Sequence, residues 1–253
     1  MSGFETSRLV RYLSQLAPMR ALKCLLAIVP IIFCESALSN ECVILLHGLV
    51  RSAASMKALE ERLQHEGYDV RNIDYPSRDH PIEILAEEAV GRGIQECEQK
   101  SPTKINFVTH SLGGILVRMY SKKNGNTKIH RVVMLGPPNQ GIEVVDKLKN
   151  TLGFELLNGP AGLQLGTGLS DIPKSLGPVN FDLGVIAGTQ SINLILSILL
   201  PDRDDGKVSV ESTKVAGMKD FVSLPVTHPL MMKNEAVIEQ TVHFLRHGSF
   251  SKP

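Results

Sequence analysis

The chain has 253 residues, of which 43% are hydrophobic and 21% are charged, a balance that suits one globular domain with a sizeable core. The formal net charge is +1 and there is no Trp, so the composition does not point to a polyanionic partner. Since no basic run is interleaved with aromatic residues, we expect no binding to nucleic acid.

The first 39 residues differ in composition from the rest of the chain. A basic start is followed by the uncharged stretch 24–34 (CLLAIVPIIFC) and then by small residues. This order is typical of a secretory signal peptide, and the apolar stretch is shorter than the roughly 20 residues that span a bilayer. We therefore expect residues 1–39 to be a signal peptide that starts at Met1 or Met19. An uncleaved membrane anchor and a buried helix are the alternatives.

The predicted mature domain, residues 40–253, keeps two cysteines, Cys42 and Cys97. If the protein is exported to a periplasm or secreted, an oxidising environment favours a disulfide between them. Two buried free thiols are the alternative. Neither cysteine has a CxxC partner, so we expect neither a metal site nor redox chemistry here.

Apolar runs alternate with helical patterns along the mature domain. The pattern predicts strands at 42–48, 68–76, 105–110, 130–138, 181–188 and 221–226, and helices at 52–65, 81–99, 112–123 and 235–247. Several of the strands are apolar throughout, which indicates a mostly parallel sheet with helices on both faces.

Residues 139–180 interrupt this alternation. The segment is rich in Gly, Pro and Leu and is too long for a plain connection between strands. We expect a small cap or lid over a site, with a disordered insertion as the alternative. If its leucines and Phe154 line the cleft, medium or long acyl chains are the expected ligands; the residues concerned are Leu152, Phe154, Leu156, Leu157, Leu163, Leu165 and Leu169. The apolar run 191–200 adds to this surface.

Ser111 follows a predicted strand and precedes a predicted helix, in the stretch FVTHSLGG. A serine at this place can simply cap the helix. However, a nucleophilic serine in a sharp strand-to-helix turn needs small neighbours, and Gly113 and Gly114 meet that need. The pattern Gly-x-Ser-x-Gly is matched except at its first position, where Thr109 is larger and β-branched.

The stretch LLHGL at 45–49 ends the first predicted strand. A backbone amide in such a loop can stabilise an oxyanion together with the amide that follows the nucleophile, and these are Leu49 and Leu112. Gly48 would let the loop approach the substrate. We expect His47 to orient the loop by hydrogen bonding rather than to act as a base.

A serine hydroxyl needs a base, usually a histidine, and an acid that holds the imidazole. His228 directly follows the last predicted strand, at the place where such sheets carry active groups. His110 adjoins Ser111, but we expect its side chain to point away in a tight turn. For the acid we favour Asp205, which precedes Gly206, over Asp204, although a plain turn at this DG sequence is the alternative.

With these residues in place, the chain resembles the α/β-hydrolase superfamily, and bacterial lipases and esterases in particular. The resemblance rests on five motifs in the expected order: HGL (47–49), THSLGG (109–114), LGPPNQG (135–141), DDGKVSVEST (204–213) and PVTH (225–228). It implies an α/β-hydrolase fold and hydrolysis of a small-molecule or lipid ester through Ser111, Asp205 and His228, without a metal or organic cofactor. Membrane contact through the N-terminus or the lid is a further expectation.

Four other functions stay open on the sequence. Acyl transfer and thioester hydrolysis use the same triad, and a binding protein on a hydrolase scaffold would keep the fold with an inactive site. A chaperone or surface-anchored helper that uses the apolar N-terminus is the fourth.

Overall fold

The computed structural model describes residues 40–191 and 204–252. Six parallel strands form one sheet in the order β2-β1-β3-β4-β5-β6. The strands are β1 (Glu41–Leu46), β2 (Asp69–Ile73), β3 (Lys104–His110), β4 (Arg131–Leu135), β5 (Asp182–Gly188) and β6 (Asp220–Leu224). All six predicted strands are confirmed, with ends that differ by up to a few residues from the apolar runs.

The helices lie between the strands. They are α1 (Lys57–His65), α2 (Ile82–Leu85), α3 (Arg92–Glu98), α4 (Leu112–Asn124), α5 (Glu143–Leu148), α6 (Phe154–Leu163), α7 (Ile172–Ser175) and α8 (Glu235–His247). A π-helical turn at Ala86–Gly91 joins α2 to α3, so the predicted helix at 81–99 is one stretch with a local widening. Short 3₁₀ turns occupy Ala53–Met56, Glu211–Thr213 and His228–Lys233.

Both faces of the sheet are covered, because successive side chains of a strand point to opposite faces. In β1, Ile44 and Leu46 pack in one core with residues of α2, α3 and α4. Val43 and Leu45 pack in the second core with residues of α1 and α8. The central strands are therefore apolar on both faces, as the sequence predicted.

Cys42 and Cys97 form a disulfide between β1 and α3, with their Cα atoms 5.8 Å apart. The predicted pairing is confirmed, and the free-thiol alternative is wrong. Residues 1–39 and most of the apolar run 191–200 lie outside the described residues, so the expectations for them stay predictions. Within the described part, no helix is both long and apolar enough to cross a membrane.

Residues 139–180 contain three helices, α5, α6 and α7, rather than the disordered insertion weighed as an alternative. Ile142, Val145 and Leu165 from this segment are buried in the same core as α4. The segment is thus attached to the body of the domain next to the carboxyl ends of the strands.

Candidate active site

Ser111 occupies the sharp turn between β3 and α4. Its backbone angles, φ 51° and ψ −116°, lie outside the regions that a non-glycine residue normally adopts. Hydrogen bonds on both sides hold the turn, from the Ser111 amide to the Leu135 carbonyl (2.9 Å) and from the Gly114 amide to the Ser111 carbonyl (3.1 Å). Strain of this kind persists only where the surrounding structure enforces it, and it is common at active sites.

The turn depends on close backbone contacts. A Cβ atom at Gly113 would lie 2.7 Å from the Leu46 carbonyl oxygen, and one at Gly48 would lie 2.7 Å from Nδ1 of His110. A side chain at either position would therefore force its neighbours to shift. The expectation that Gly48 lets the loop approach the substrate stays a prediction. Thr109, which departs from the glycine pattern, is a buried strand residue that pairs with Leu46 and Met134. The turn begins after it, so its side chain is accommodated.

His228 and Asp205 form a buried pair beside Ser111. Nδ1 of His228 lies 2.6 Å from Oδ2 of Asp205, and the His228 amide donates to the Asp205 carbonyl (2.8 Å). The other carboxylate oxygen, Oδ1, accepts from the amides of Lys207 (3.0 Å) and Val208 (2.9 Å). The carboxylate is thus fixed at both oxygens and holds the imidazole in one orientation.

Asp204 has a different place. Its Oδ1 accepts from the Gly206 amide (2.6 Å), within the turn that precedes Val208. The structure therefore brings Asp205, and not the second candidate Asp204, to His228.

The two atoms expected to react are among the buried side-chain atoms without a hydrogen-bond partner in the described part of the chain. Oγ of Ser111 and Nε2 of His228 are buried and make no hydrogen bond within the described part of the chain. Both residues line one cavity of about 440 Å³, together with Leu49 and Asp205. A buried polar atom without a partner is costly, so this arrangement favours a polar ligand at this place.

The loop that carries Leu49 is fixed by His47. The His47 ring lies 2.9 Å from the Gly48 carbonyl through Nδ1 and 3.3 Å from the Tyr75 amide through Nε2. Nδ1 therefore donates and Nε2 accepts. Tyr75 also stacks on the ring, with centroids 4.0 Å apart, and its hydroxyl donates to the His47 carbonyl. Burial lowers the pKa of His47, which keeps the ring neutral in this orienting position.

The amides of Leu49 and Leu112 make no hydrogen bond to another group in the described part of the chain. Leu112 is the first residue of α4, so its amide has no acceptor within the helix. The two backbone amides that the sequence suggested as oxyanion donors thus have no acceptor in the described part of the chain.

The side chain of His110 does not point away from the site, and this expectation is wrong. Its ring packs on the His228 ring with centroids 4.6 Å apart, and its Nε2 lies 3.1 Å from the His228 carbonyl. Burial, followed by the neighbouring His228, holds the pKa of His110 well below its usual value. His110 therefore supports His228 as a neutral donor. His110 is the last residue of β3, and successive side chains of a strand point to opposite faces of the sheet. This alternation sets the direction of the His110 side chain, although the sharp turn follows directly.

A second cavity, of about 400 Å³, adjoins the first and is mostly apolar. The two cavities share Leu49, Gly206 and Lys207. From the predicted set, Phe154, Leu157 and Leu165 line this cleft, together with Ile142, Val144, Val145 and Leu148. Leu157 is also 65% exposed; Leu152, Leu156 and Leu169 are exposed to solvent and do not line the cleft, and Leu163 is half-buried.

Sequence reasoning missed Arg118, a buried residue of α4. Its guanidinium donates to the Asn139 side chain (3.0 Å) and to the carbonyls of Asn139 (3.1 Å) and Gly177 (2.7 Å). Burial lowers its pKa to about 10. One arginine thus binds both ends of the segment 139–180. The Asn in LGPPNQG was the only sequence signal for this contact.

Comparisons with known proteins agree with this architecture. Residues 42–167 match the sequence profile of the family described as palmitoyl protein thioesterase. None of the curated protein sequences compared matches the chain.

Among solved structures, a Bacillus licheniformis lipase, BlEst2 in mature form, superimposes with a TM-score of 0.66 at 18% identity, over 83% of this chain and 92% of that one. Lipase B of Aspergillus fumigatus superimposes with a TM-score of 0.60 at 17% identity, over 84% of this chain and 54% of that one. Phospholipase PlaB of Legionella pneumophila superimposes with a TM-score of 0.59 at 20% identity, over 74% of this chain and 53% of that one. This chain thus spans about half of the latter two proteins.

The parallel sheet, the strained turn after β3 and these similarities define an α/β-hydrolase fold. The predicted fold class is confirmed. Within the described residues, no group of three or more His, Cys, Asp or Glu side chains is arranged to hold a metal ion.

Proposed function

We propose that the protein is a serine hydrolase that cleaves carboxylic esters. The observation that carries this proposal is the arrangement of Ser111, whose buried and unpartnered Oγ shares a cavity with a histidine bonded to Asp205. The similarity to lipases supports the same reaction class.

In the proposed reaction, Oγ of Ser111 attacks the ester carbonyl while Nε2 of His228 takes the hydroxyl proton. The carbonyl oxygen becomes negatively charged and is stabilised by the amides of Leu49 and Leu112. Asp205 stabilises the imidazolium through Nδ1. When the carbon–oxygen bond to the alcohol breaks, His228 protonates the departing alcohol, and an acyl-enzyme remains on Ser111.

A water molecule then repeats the sequence. His228 takes one proton from the water, the hydroxide attacks the acyl carbon, and the proton returns to Oγ of Ser111 as the acid leaves. The apolar cleft of Phe154, Leu157 and Leu165 would hold the acyl chain, so we expect medium or long chains to react faster than acetate.

Thioester hydrolysis is the second candidate, because residues 42–167 match the palmitoyl protein thioesterase profile. The same steps apply, with a thiol in place of the alcohol as the leaving group. Matched oxygen and sulfur esters of one acyl chain separate the two candidates by kcat/KM.

The disulfide between Cys42 and Cys97 fits an oxidising compartment. We propose that the protein is exported, to a periplasm or to the medium. Its N-terminal sequence after secretion tests this proposal, and a chain that begins at Asn40 is the expected result.

Hydrolysis of p-nitrophenyl esters from acetate to palmitate tests the activity. We expect Ser111→Ala to lower kcat by about 10⁴-fold or more, as removal of a serine nucleophile does elsewhere. A fluorophosphonate probe should label the wild type at Ser111. Unchanged hydrolysis by the variant would sink the proposal, and a folded wild type that neither reacts with the probe nor cleaves an ester would favour a binding protein.

A further inference from the structure

Three basic side chains line the Ser111 cavity or the polar cavity next to it, and one of them, Lys207, also borders the apolar cleft. Arg51 and Lys207 line the cavity that contains Ser111 and His228. Arg51 and Arg78 line a neighbouring polar cavity of about 310 Å³. The two cavities meet at Val50 and Arg51.

These cations have no acidic partners within the described part of the chain. No carboxylate there lies within the 4.0 Å of an ion pair to Arg51, Arg78 or Lys207, although most other surface cations of the domain are paired. Asp79 also lines the polar cavity but is exposed. The carboxylate of Asp205 is already bound by His228 and two amides.

Two of these cations, Arg51 and Lys207, also act on one another. Burial lowers the pKa of Lys207, the Asp205 carboxylate opposes this effect, and the nearby Arg51 lowers the pKa by a smaller amount. Arg51 and Lys207 are like charges that face one cavity, and a bound anion would relieve the repulsion between them. Arginine side chains suit this purpose, because a guanidinium can donate two parallel hydrogen bonds to a phosphate or a carboxylate.

The position of Arg51 and Arg78 relative to Ser111 assigns these two cations to one part of the substrate. The apolar cleft joins the Ser111 cavity at Leu49, Gly206 and Lys207, whereas the polar cavity joins it at Val50 and Arg51. An ester whose acyl chain lies in the cleft would thus direct its alcohol part towards Arg51 and Arg78.

We propose that the preferred substrate is an ester whose alcohol part carries an anionic group, in the simplest case a phosphate, that is bound by Arg51, Arg78 and Lys207. This inference rests on the proposed ester hydrolysis and adds the chemistry of the leaving group to it. The anion would draw the alcohol part into the polar cavity and place the ester carbonyl at Ser111.

The test compares two soluble substrates with one acyl chain, 1-hexanoylglycerol and 1-hexanoylglycerol 3-phosphate, by the release of hexanoate. We expect a kcat/KM ratio of roughly tenfold or more in favour of the phosphate ester, the gain typical of a charge-assisted hydrogen bond. The hexanoyl ester of glyceric acid, with a carboxylate, shows whether the site selects phosphate or any anion. A preference that is absent, or that favours the neutral ester, would overturn the inference.

The variants Arg51→Gln and Arg78→Gln should each reduce this ratio, and the double variant should bring it close to one. Lys128→Gln is the matched control, because it also removes one positive charge but lies before β4, at the amino-terminal edge of the sheet. It should keep the full ratio. Added salt should weaken the preference, since Arg51 and Arg78 are exposed. If the double variant keeps the wild-type ratio, the three cations do not select the substrate.

The outcomes also separate this inference from the proposed function. Hydrolysis of the neutral ester without any preference would reject only the anion site. A folded enzyme that cleaves none of the three esters would reject the ester hydrolase proposal itself.

Discussion

The polar edge of the site and the apolar cleft beside it differ in how their side chains are held. At the polar edge, defined by Ser111, Asp205 and His228, hydrogen bonds of 2.6–3.0 Å fix the carboxylate and the imidazole. The cleft between α5 and α6 is lined mostly by apolar side chains, and Leu156 of α6 is 84% exposed. Hydrogen bonds depend steeply on geometry, whereas apolar contact scales with area. Substitutions at the polar edge should therefore lower kcat strongly, whereas substitutions in the cleft should change kcat/KM by a smaller factor.

The largest effect is expected at Asp205. Asp205→Asn would present an amide to Nδ1 of His228 and favour the wrong tautomer, so kcat should fall by roughly 10³–10⁴-fold. Asp204→Asn is the control, because its side-chain oxygen can still accept from the Gly206 amide. Steady-state hydrolysis of a p-nitrophenyl ester measures both. Equal losses in the two variants would mean that the pair with His228 has no special part in the reaction.

The next effect is expected at Gly136, which directly follows β4 with φ +54°. A Cβ atom there would lie 3.0 Å from both Oδ2 of Asp205 and Nδ1 of His228. Gly136→Ala should therefore displace the pair and lower kcat by about 10–100-fold, since misplacement by about 1 Å can cost 100-fold.

Gly153→Ala separates this steric effect from backbone strain. Gly153 also has a positive φ, +87°, but an added Cβ there meets nothing within 4 Å. It should lower the free energy of unfolding by about 1 kcal/mol and leave kcat unchanged. If Gly136→Ala behaves like Gly153→Ala, the polar edge is less rigid than its contacts indicate.

A smaller and more selective effect is expected in the cleft. Phe154→Ala removes an aromatic wall, so kcat/KM for an octanoyl ester should fall by about tenfold while the acetyl ester is little affected. Leu152→Ala, at a fully exposed position of the same segment, should change neither. An equal loss for both esters would indicate that Phe154 supports the fold and not the acyl chain.

The smallest effect concerns pH and His110. Its pKa is well below 6.5 in the folded protein, so the unfolded chain takes up the proton first as the pH falls. The free energy of unfolding should thus be highest above pH 6.5 and decrease below it, by up to about 1.4 kcal/mol per pH unit.

Urea unfolding between pH 7.5 and 5.5 measures this slope. His110→Gln, which can still donate to the His228 carbonyl, should reduce the slope, and His65→Gln at an exposed position of α1 controls for the loss of a histidine. An unchanged slope in His110→Gln would show that His110 is not the group that titrates.

The sequence predicted the parts of the fold that depend on local pattern. The apolar runs predicted all six strands, because a strand buried on both faces needs apolar side chains at every position. Gly113 and the position of Ser111 between a strand and a helix predicted the sharp turn. The exported-protein pattern and the count of two mature cysteines predicted the disulfide.

Other features depend on residues far apart in the chain and were missed or wrong. The direction of the His110 side chain follows from the pleat of β3 and from the place of His228 beside it. Arg118 binds the carbonyls of Asn139 and Gly177, and no local pattern predicts that contact. Arg51, Arg78 and Lys207 were ordinary surface cations in the sequence.

The sequence by itself determined the class of fold, the strand-to-helix turn at Ser111 and the order of the candidate residues, because each of these is encoded by neighbouring side chains. Only the tertiary structure decided between Asp204 and Asp205, showed which leucines line the cleft, and brought Arg51, Arg78 and Lys207, which have no ion-pair partner among the described residues, to the cavities around Ser111. Those choices depend on distances between segments that the parallel sheet brings together at the carboxyl ends of its strands.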